Sequence, residues 1–261
     1  MNLKILEKSD RRMEFILDCD PAFANALRRI MISEMPVLAI EYVEFEYNSS
    51  GLFDEVIAHR LGLIPLVFPD IFEMKSECKC KGKGCSRCEV VATLEKEGPC
   101  IVKASDLIFD GDVTPFDPDI PIVELLEGHK IKFRAFAQLG FGRDHAKYQA
   151  ATVGYRNVPV VRFYSDKCDE CGNCIDVCPK NIFQKKDGKI GLAGAANCNL
   201  CLRCMEVCDK KAVTVAGEEN NFIFKIESIS GMNAVGILSK ALDILEKRAL
   251  GFIKEVRKEV K

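Results

Sequence analysis

The alternation of apolar and polar positions places a strand at the start of the chain, in "RRMEFILDCD" (11–20), and a helix after it, in "AFANALRRIMISEM" (22–35). Asp20 is placed to cap that helix, Pro21 suits its first position and Pro36 helps to end it. Phe23, Leu27, Ile30 and Met31 recur along one helical face. In "AIEYVEFEYN" (39–48), Ile40, Val43, Phe45, Tyr47 and, less clearly, Tyr42 alternate with acids, which predicts another strand. At the far end, "FIFKIES" (222–228) reads as a strand and "SG" as a turn. A helix then runs from about Asn233 to the chain end. Its seam is Val235, Leu238, Leu242, Leu245, Ala249, Phe252 and Val256, in steps of three and four that make a heptad pattern. Ile237, Ala241, Ile244 and Leu250 widen the apolar face. At 1.5 Å per residue such a helix is roughly 40 Å long, more than one small domain covers. Each seam residue is worth about 1.5–3 kcal/mol when buried. If half of that burial comes from a partner, the sum outweighs association costs of about 4–15 kcal/mol. The expectation is a helix shared with a partner; the competing one is a helix packed only on its own sheet.

The chemistry lies between these flanks. "CDECGNCIDVCPKN" (168–181) and "CNLCLRCMEVCDKK" (198–211) each hold four cysteines spaced C-x2-C-x2-C-x3-C, offset by thirty positions. A fixed offset over eight cysteines marks a duplicated unit of cysteine loop, short helix and strand. Three cysteines at this spacing wrap one cubane iron–sulfur cluster, and the fourth points to the other cluster. Cluster one is therefore expected on Cys168, Cys171, Cys174 and Cys208, and cluster two on Cys198, Cys201, Cys204 and Cys178. Two zinc sites or free thiols are the weaker alternatives. The segment has few large apolar residues, so two [4Fe-4S] clusters would act as its core. Residues 166–217 resemble bacterial two-cluster ferredoxins. Asp209 departs from the proline usual there, while Pro179 keeps it in the first half, so the turn after Cys208 is expected to be looser. Seven Lys or Arg against six Asp or Glu between Cys168 and Gly217 leave this segment near +1, without an acidic face for steering to a redox partner.

A further knuckle, "CKCKGKGCSRC" (78–88), offers Cys78, Cys80, Cys85 and Cys88 to one tetrahedral zinc ion, with a vacant or disulfide-bonded loop as the alternative. Cys19 and Cys100 read as small buried hydrophobes. His59 and His145 have no carboxylate constellation around them, so packing or hydrogen bonding is expected of them. Arg28 and Arg29 flank the first helix's apolar face, either solvated or at a contact with a neighbour. No phosphate-binding loop, nucleophile elbow or H-E-x-x-H motif is present, and no catalytic residue is assigned.

Composition narrows the setting. The chain has 261 residues, enough for two or three domains, and a formal net charge of −2, so it carries no whole-molecule field for gripping nucleic acid or an anionic membrane. No apolar run reaches the length of a membrane span, and the charged N-terminus is not a signal peptide. Fourteen cysteines without these secretory signs point to metal chemistry in the reducing cytoplasm.

Four blocks resemble a known family. "FANALRRIMISEMPVLAIEYVEF", "DEVIAHRLGLIPL" (54–66), "GRDHAKYQAATVGYRNVPVV" (142–161) and "ESISGMNAVGILSKALDIL" follow, in order, the assembly subunit of multi-subunit RNA polymerases, called alpha in bacteria and D in archaea. Tyr148 stands where the third block usually has Trp. Some archaeal members carry a ferredoxin-like insert where this octet sits. The resemblance implies an α+β fold: a split alpha-like dimerisation domain (1–45 plus 218–261), an inserted mixed α/β domain (46–157) and a ferredoxin-like domain with its linker (158–217). It implies a non-catalytic subunit of the DNA-directed RNA polymerase that pairs with subunit L, then docks subunits N and P and the large catalytic subunits. Phe23, Leu27, Ile30, Met31, Val235, Leu238, Leu242, Leu245 and Phe252 would form the partner interface. The rival reading is a ferredoxin-type electron-transfer subunit of an oxidoreductase complex.

Overall fold

The computed structural model describes residues 1–260. Its first elements are β1 (Leu3–Lys8), β2 (Arg12–Asp18), α1 (Pro21–Ser33), β3 (Pro36–Asn48), α2 (Asp54–Gly62) and β4 (Leu66–Val67). Strands β5 (Val90–Glu97), β6 (Cys100–Lys103), β7 (Ile108–Phe109), β8 (Thr114–Pro115), β9 (Pro121–Leu125), β10 (Lys130–Phe141) and β11 (Ala151–Phe163) follow. Last come α3 (Asn173–Asp176), β12 (Phe183–Lys186), β13 (Lys189–Leu192), α4 (Arg203–Glu206), β14 (Val213–Ser228) and α5 (Ala234–Glu259). The expected run of α5 to the chain end takes in position 261, outside the described residues. No helix among the described residues is long and apolar enough to cross a membrane.

Contacts divide the chain into two units. The first comprises Met1–Lys8, Met13–Asn25 and Gly154–Lys225. Its sheet has the order β1-β2-β14-β11. Phe15 of β2 stacks on Phe224 of β14 with ring centroids 5.2 Å apart, and Tyr155 of β11 leans on Phe222 and Phe224. Strand β2 alternates as expected, with Met13, Phe15 and Leu17 buried. Strand β14 does not. It is buried near Val213 and again from Phe222, with an exposed middle where Asn220 takes φ +58°. Its first part belongs to the cysteine segment and its last to the sheet core. The expected boundary at 217/218 thus falls inside a continuous strand.

The second unit holds Ser9–Arg12, Ala26–Val153 and the chain from Ile226 onward. Its main sheet runs β3-β10-β5-β7. Leu38 and Ile40 of β3, Leu94 of β5 and Phe133 of β10 form a core with Ile57 and Leu61 of α2. The β3–β10 register slips at Glu41 and again at Glu46. Each extra residue reverses the side-chain alternation. Ile40, Val43 and Phe45 therefore face inward, while Tyr42 and Tyr47 are exposed. This corrects the expectation that Tyr47 shares their face and accounts for the irregular Tyr42. The 45/46 boundary likewise lies within β3.

Helix α5 starts where the sequence places it. Asn233 Oδ1 accepts the Gly236 amide at 2.7 Å, and Ser228 Oγ closes the preceding turn on the Met232 carbonyl at 2.5 Å. A Cβ at Gly231 would overlap the Leu66 carbonyl, so the turn requires glycine. Only Ala234, Ile237, Leu238 and Ala241 of α5 are buried.

Candidate metal centres

The duplicated cysteine segment repeats in three dimensions. Positive φ angles recur thirty positions apart at Glu170 and Leu200 (61° and 60°), Gly172 and Leu202 (90° and 63°), and Asn181 and Lys211 (50° and 51°). These turns aim backbone amides at sulfur: Glu170 donates to Cys168 Sγ and Leu200 to Cys198 Sγ, both at 3.4 Å. The single turns α3 and α4 bury Cys174 and Cys204. The turn after Cys208 is not loosened by Asp209. Lys211 donates to the Cys208 carbonyl at 2.9 Å, while Asn181 reaches the Cys178 carbonyl at 3.2 Å.

The surroundings of the octet can be compared with the expected crossed sets. One small cavity is lined by Cys168, Cys171, Cys174 and Cys208, the set expected for cluster one. Burial pushes the Cys174 thiol up, and the charges of Cys168, Cys171 and Cys208 push it further. Burial pushes Cys204 up to about 11, with Cys198, Cys178 and Cys201 adding to it. Each buried thiol thus senses the other three members of its expected crossed set. Such a group could hold four thiolates only if a bound metal cation offset their repulsion and desolvation, and an all-cysteine donor set fits a [4Fe-4S] cube. Cys171 and Cys201 are exposed, leaving each set one edge toward solvent.

The knuckle at 78–88 is tighter. Among the described residues, only Cys78, Cys80, Cys85 and Cys88 bring three or more candidate ligand atoms within 4.8 Å of one another. Sulfur separations are 3.5 Å for Cys78–Cys85, 3.5 Å for Cys80–Cys88 and 3.8 Å for Cys85–Cys88. A tetrahedral ion with Zn–S near 2.3 Å would space its sulfurs about 3.8 Å apart. All four cysteines are free, so the disulfide-bonded alternative is not the form seen. Lys81, Gly82 and Gly84 take positive φ to fold the knuckle. Burial raises the Cys80 thiol, but hydrogen bonds from Cys88, Cys78 and the amides of Gly84 and Gly82 outweigh it and bring Cys80 down to about 7. Burial lifts Cys88 to about 12. One thiol ready to ionise beside one held neutral suits a site completed by a cation. Cys19 is buried as expected, whereas Cys100 is only half-buried.

Sequence reasoning did not foresee a polar constellation joining two of the family-like blocks. The Lys147 ammonium donates to the Ile40 carbonyl at 3.1 Å and pairs with Glu41, the bulged residue of β3. Tyr148 Oη donates to Glu41 Oε2 at 2.6 Å, and its ring occupies the space a side chain at Gly140 would need. His145 Nδ1 accepts the Lys147 amide at 3.1 Å. His59 lines a cavity together with Glu41, His145 and Lys147. The missed signal was the β-bulge at Glu41, for which the sequence offers only an acid in an apolar run.

The expected partner-facing residues separate into two groups. Leu27, Ile30 and Met31 are at most 2% exposed, and Leu238 is 8% exposed. They are packed inside this chain and offer no surface, a correction to the expected interface. Helix α1 is short and spends its apolar face on its own core. Phe23 and Leu245 are half-buried. Val235 (37%), Leu242 (41%) and Phe252 (71%) are exposed, with Leu250, Ile253 and Val256 beside them. Arg28 is half-buried and Arg29 exposed.

Comparison with known proteins agrees with both parts of this architecture. Residues 43–161 match the RNA polymerase Rpb3/RpoA insert domain, and residues 161–209 match a 4Fe-4S dicluster domain. The chain is similar to the DNA-directed RNA polymerase subunit Rpo3 of Methanosarcina mazei, at 43% identity over 95% of this chain and 96% of the relative. It is 41% identical to the Rpo3 of Archaeoglobus fulgidus over 95% of this chain and 94% of the relative. With the Rpo3 of Methanothermobacter thermautotrophicus it shares 41% identity over 95% and 96% of the two chains. These relatives favour a polymerase subunit over the electron-transfer reading. At this identity over nearly the whole length, with a polymerase insert domain and a dicluster domain in one chain, the protein belongs to the Rpo3 family of archaeal DNA-directed RNA polymerase subunits.

Proposed function

We propose that this polymerase subunit is a non-catalytic assembly platform that pairs through α5 with a small alpha-like subunit, the L type, and then receives subunits N and P and the large catalytic subunits in the cytoplasm. The observation that carries this reading is the outer part of α5. Beyond Ala241, Leu242, Leu250, Phe252, Ile253 and Val256 are exposed on a helix whose buried contacts end in its first turns. Five large apolar side chains in water on one regular element mark an interaction face. On this reading the pairing domain is split, drawing on residues 1–45 and 218–261, with 46–157 and 158–217 inserted. The contributions of Phe23, Val235 and Leu245 lie at the rim.

The cofactors belong to the same proposal. Two [4Fe-4S] clusters would be held crosswise, one on Cys168, Cys171, Cys174 and Cys208, the other on Cys198, Cys201, Cys204 and Cys178. They would add cross-links to the small apolar core that Ile182, Phe183, Ile190, Val213 and Val215 form in the cysteine segment, and would give the scaffold a redox-responsive part. Zinc on Cys78, Cys80, Cys85 and Cys88 would lock the knuckle.

Anaerobic co-production with subunit L tests the whole reading in one sample. The expected product is a soluble 1:1 complex with about eight irons, eight sulfides and one zinc per pair. A monomer that ignores L would overturn the pairing. A complex free of iron would overturn the clusters, and one free of zinc the knuckle.

A further inference from the structure

The two halves of the cysteine segment share a backbone but not their surroundings. In the first half, Cys168 is followed by Asp169 and Glu170; at the matching positions of the second half, Cys198 is followed by Asn199 and Leu200. The first loop is tied to its own hairpin: Ile190 donates to Glu170 Oε2 at 2.5 Å, and Lys185 Nζ reaches the Glu170 carbonyl at 3.2 Å. The second loop is tied to the sheet. Arg156 of β11 donates from Nη1 to the carbonyl oxygen of Cys198 at 2.7 Å. Beside it, Asn157 donates to the Glu218 carbonyl of β14 at 2.8 Å. A Cβ at Gly217 would lie 2.6 Å from Asn157 Cβ and 3.5 Å from Leu200 Cδ1, so the strands press against this loop. Arg156 is half-buried, and among the described residues it has no carboxylate partner. A different cation, Lys210, lines the cluster-one cavity together with Asp169.

We infer that Arg156 is the positioning residue of cluster two: it fixes the loop of the first ligand against β11 and sets an uncompensated positive charge beside that cluster. The inference rests on the crossed ligand sets proposed above. A guanidinium suits this task, because it stays charged and its planar fork holds direction when partly desolvated. Reduction adds one electron to the cluster from an external low-potential reductant, with no bond made or broken. A fixed cation nearby stabilises the added negative charge and raises the reduction potential. Cluster one has its own aid, an amide from Ala212 to Cys208 Sγ at 3.2 Å.

The test is a dithionite titration of the anaerobically purified, cluster-loaded full chain, followed by electron paramagnetic resonance. Arg156→Gln keeps an N–H donor and removes the charge; Arg156→Lys keeps the charge. In Arg156→Gln one of the two clusters is expected to become harder to reduce by about tenfold, which is 59 mV for a one-electron couple. Arg156→Lys should restore most of that shift. The shift should persist when cluster one is removed by Cys171→Ser and vanish when cluster two is removed by Cys201→Ser. Unchanged potentials for both clusters at full iron content in Arg156→Gln would overturn the role of Arg156 and leave the clusters standing. A wild-type chain that binds no iron would overturn the ligand sets themselves, and this inference with them.

Discussion

At the scale of single residues, the Glu41–Lys147–Tyr148 group shows how a family block acquires a physical purpose. Glu41 leaves the strand alternation at a bulge, and its carboxylate is then met by an ammonium and a phenol. Burial tends to raise its pKa, but hydrogen bonds from Lys147 and Tyr148 outweigh that and hold it below the usual glutamate value. A carboxyl depressed in the folded state stabilises the fold fully above its unfolded pKa and loses that contribution as pH falls through the folded one. Glu41→Gln should therefore flatten the acid side of the stability curve, read as the difference in urea midpoint from wild type between about pH 6 and pH 3. Tyr148→Phe should cost about 1 kcal/mol at neutral pH in the same unfolding measurement. An acid limb as steep in Glu41→Gln as in wild type would show that Glu41 is not the titrating group. None of this was legible in the sequence, because a bulge is decided by the register of the neighbouring strand and leaves no fixed residue pattern.

At the scale of elements, α5 separates its two uses along its length. The first turns, through Ile237, Leu238 and Ala241, are packed in this chain. The later turns hold apolar residues that nothing here covers. Substitutions should divide in the same way. Leu238→Ala removes a core side chain and should destabilise the chain by about 2–5 kcal/mol. Phe252→Ala lies at 71% exposure and should change the stability of the isolated chain by less than about 0.5 kcal/mol while weakening pairing with subunit L. Unfolding curves and a pull-down on the same two variants check this. A Phe252→Ala chain that pairs as well as wild type would remove the outer turns from the interface. The heptad seam named α5 correctly from spacing alone. Spacing could not show where the chain's own packing stops, since a buried and an unpartnered apolar residue look alike in sequence. The same ambiguity put Leu27, Ile30 and Met31 at an interface when they are core.

At the scale of the whole molecule, the cysteine segment is joined to its sheet by strands and not by linkers. β11 leads into it and β14 leads out, and Tyr164 donates to the Ala212 carbonyl at 2.8 Å where the segment begins and ends. Removing iron should therefore loosen residues 164–212 while the Phe15–Phe224 stack keeps the sheet end of β14 in place. Hydrogen exchange on the chain before and after anaerobic iron chelation should show protection lost across 164–212 and kept at 222–226. Equal loss in both would mean that the clusters hold the sheet itself. What the sequence determined by itself was what spacing encodes. A thirty-residue offset of eight cysteines fixes a duplicated unit, a heptad fixes a helix, and four ordered blocks fix the family. Each of these is carried by residues near one another along the chain. The tertiary structure alone decided which strand registers slip, which apolar residues are spent internally and which half of the cysteine segment is pinned by Arg156. Those outcomes depend on contacts between residues far apart in the chain, where only packing and hydrogen-bond geometry choose the partner.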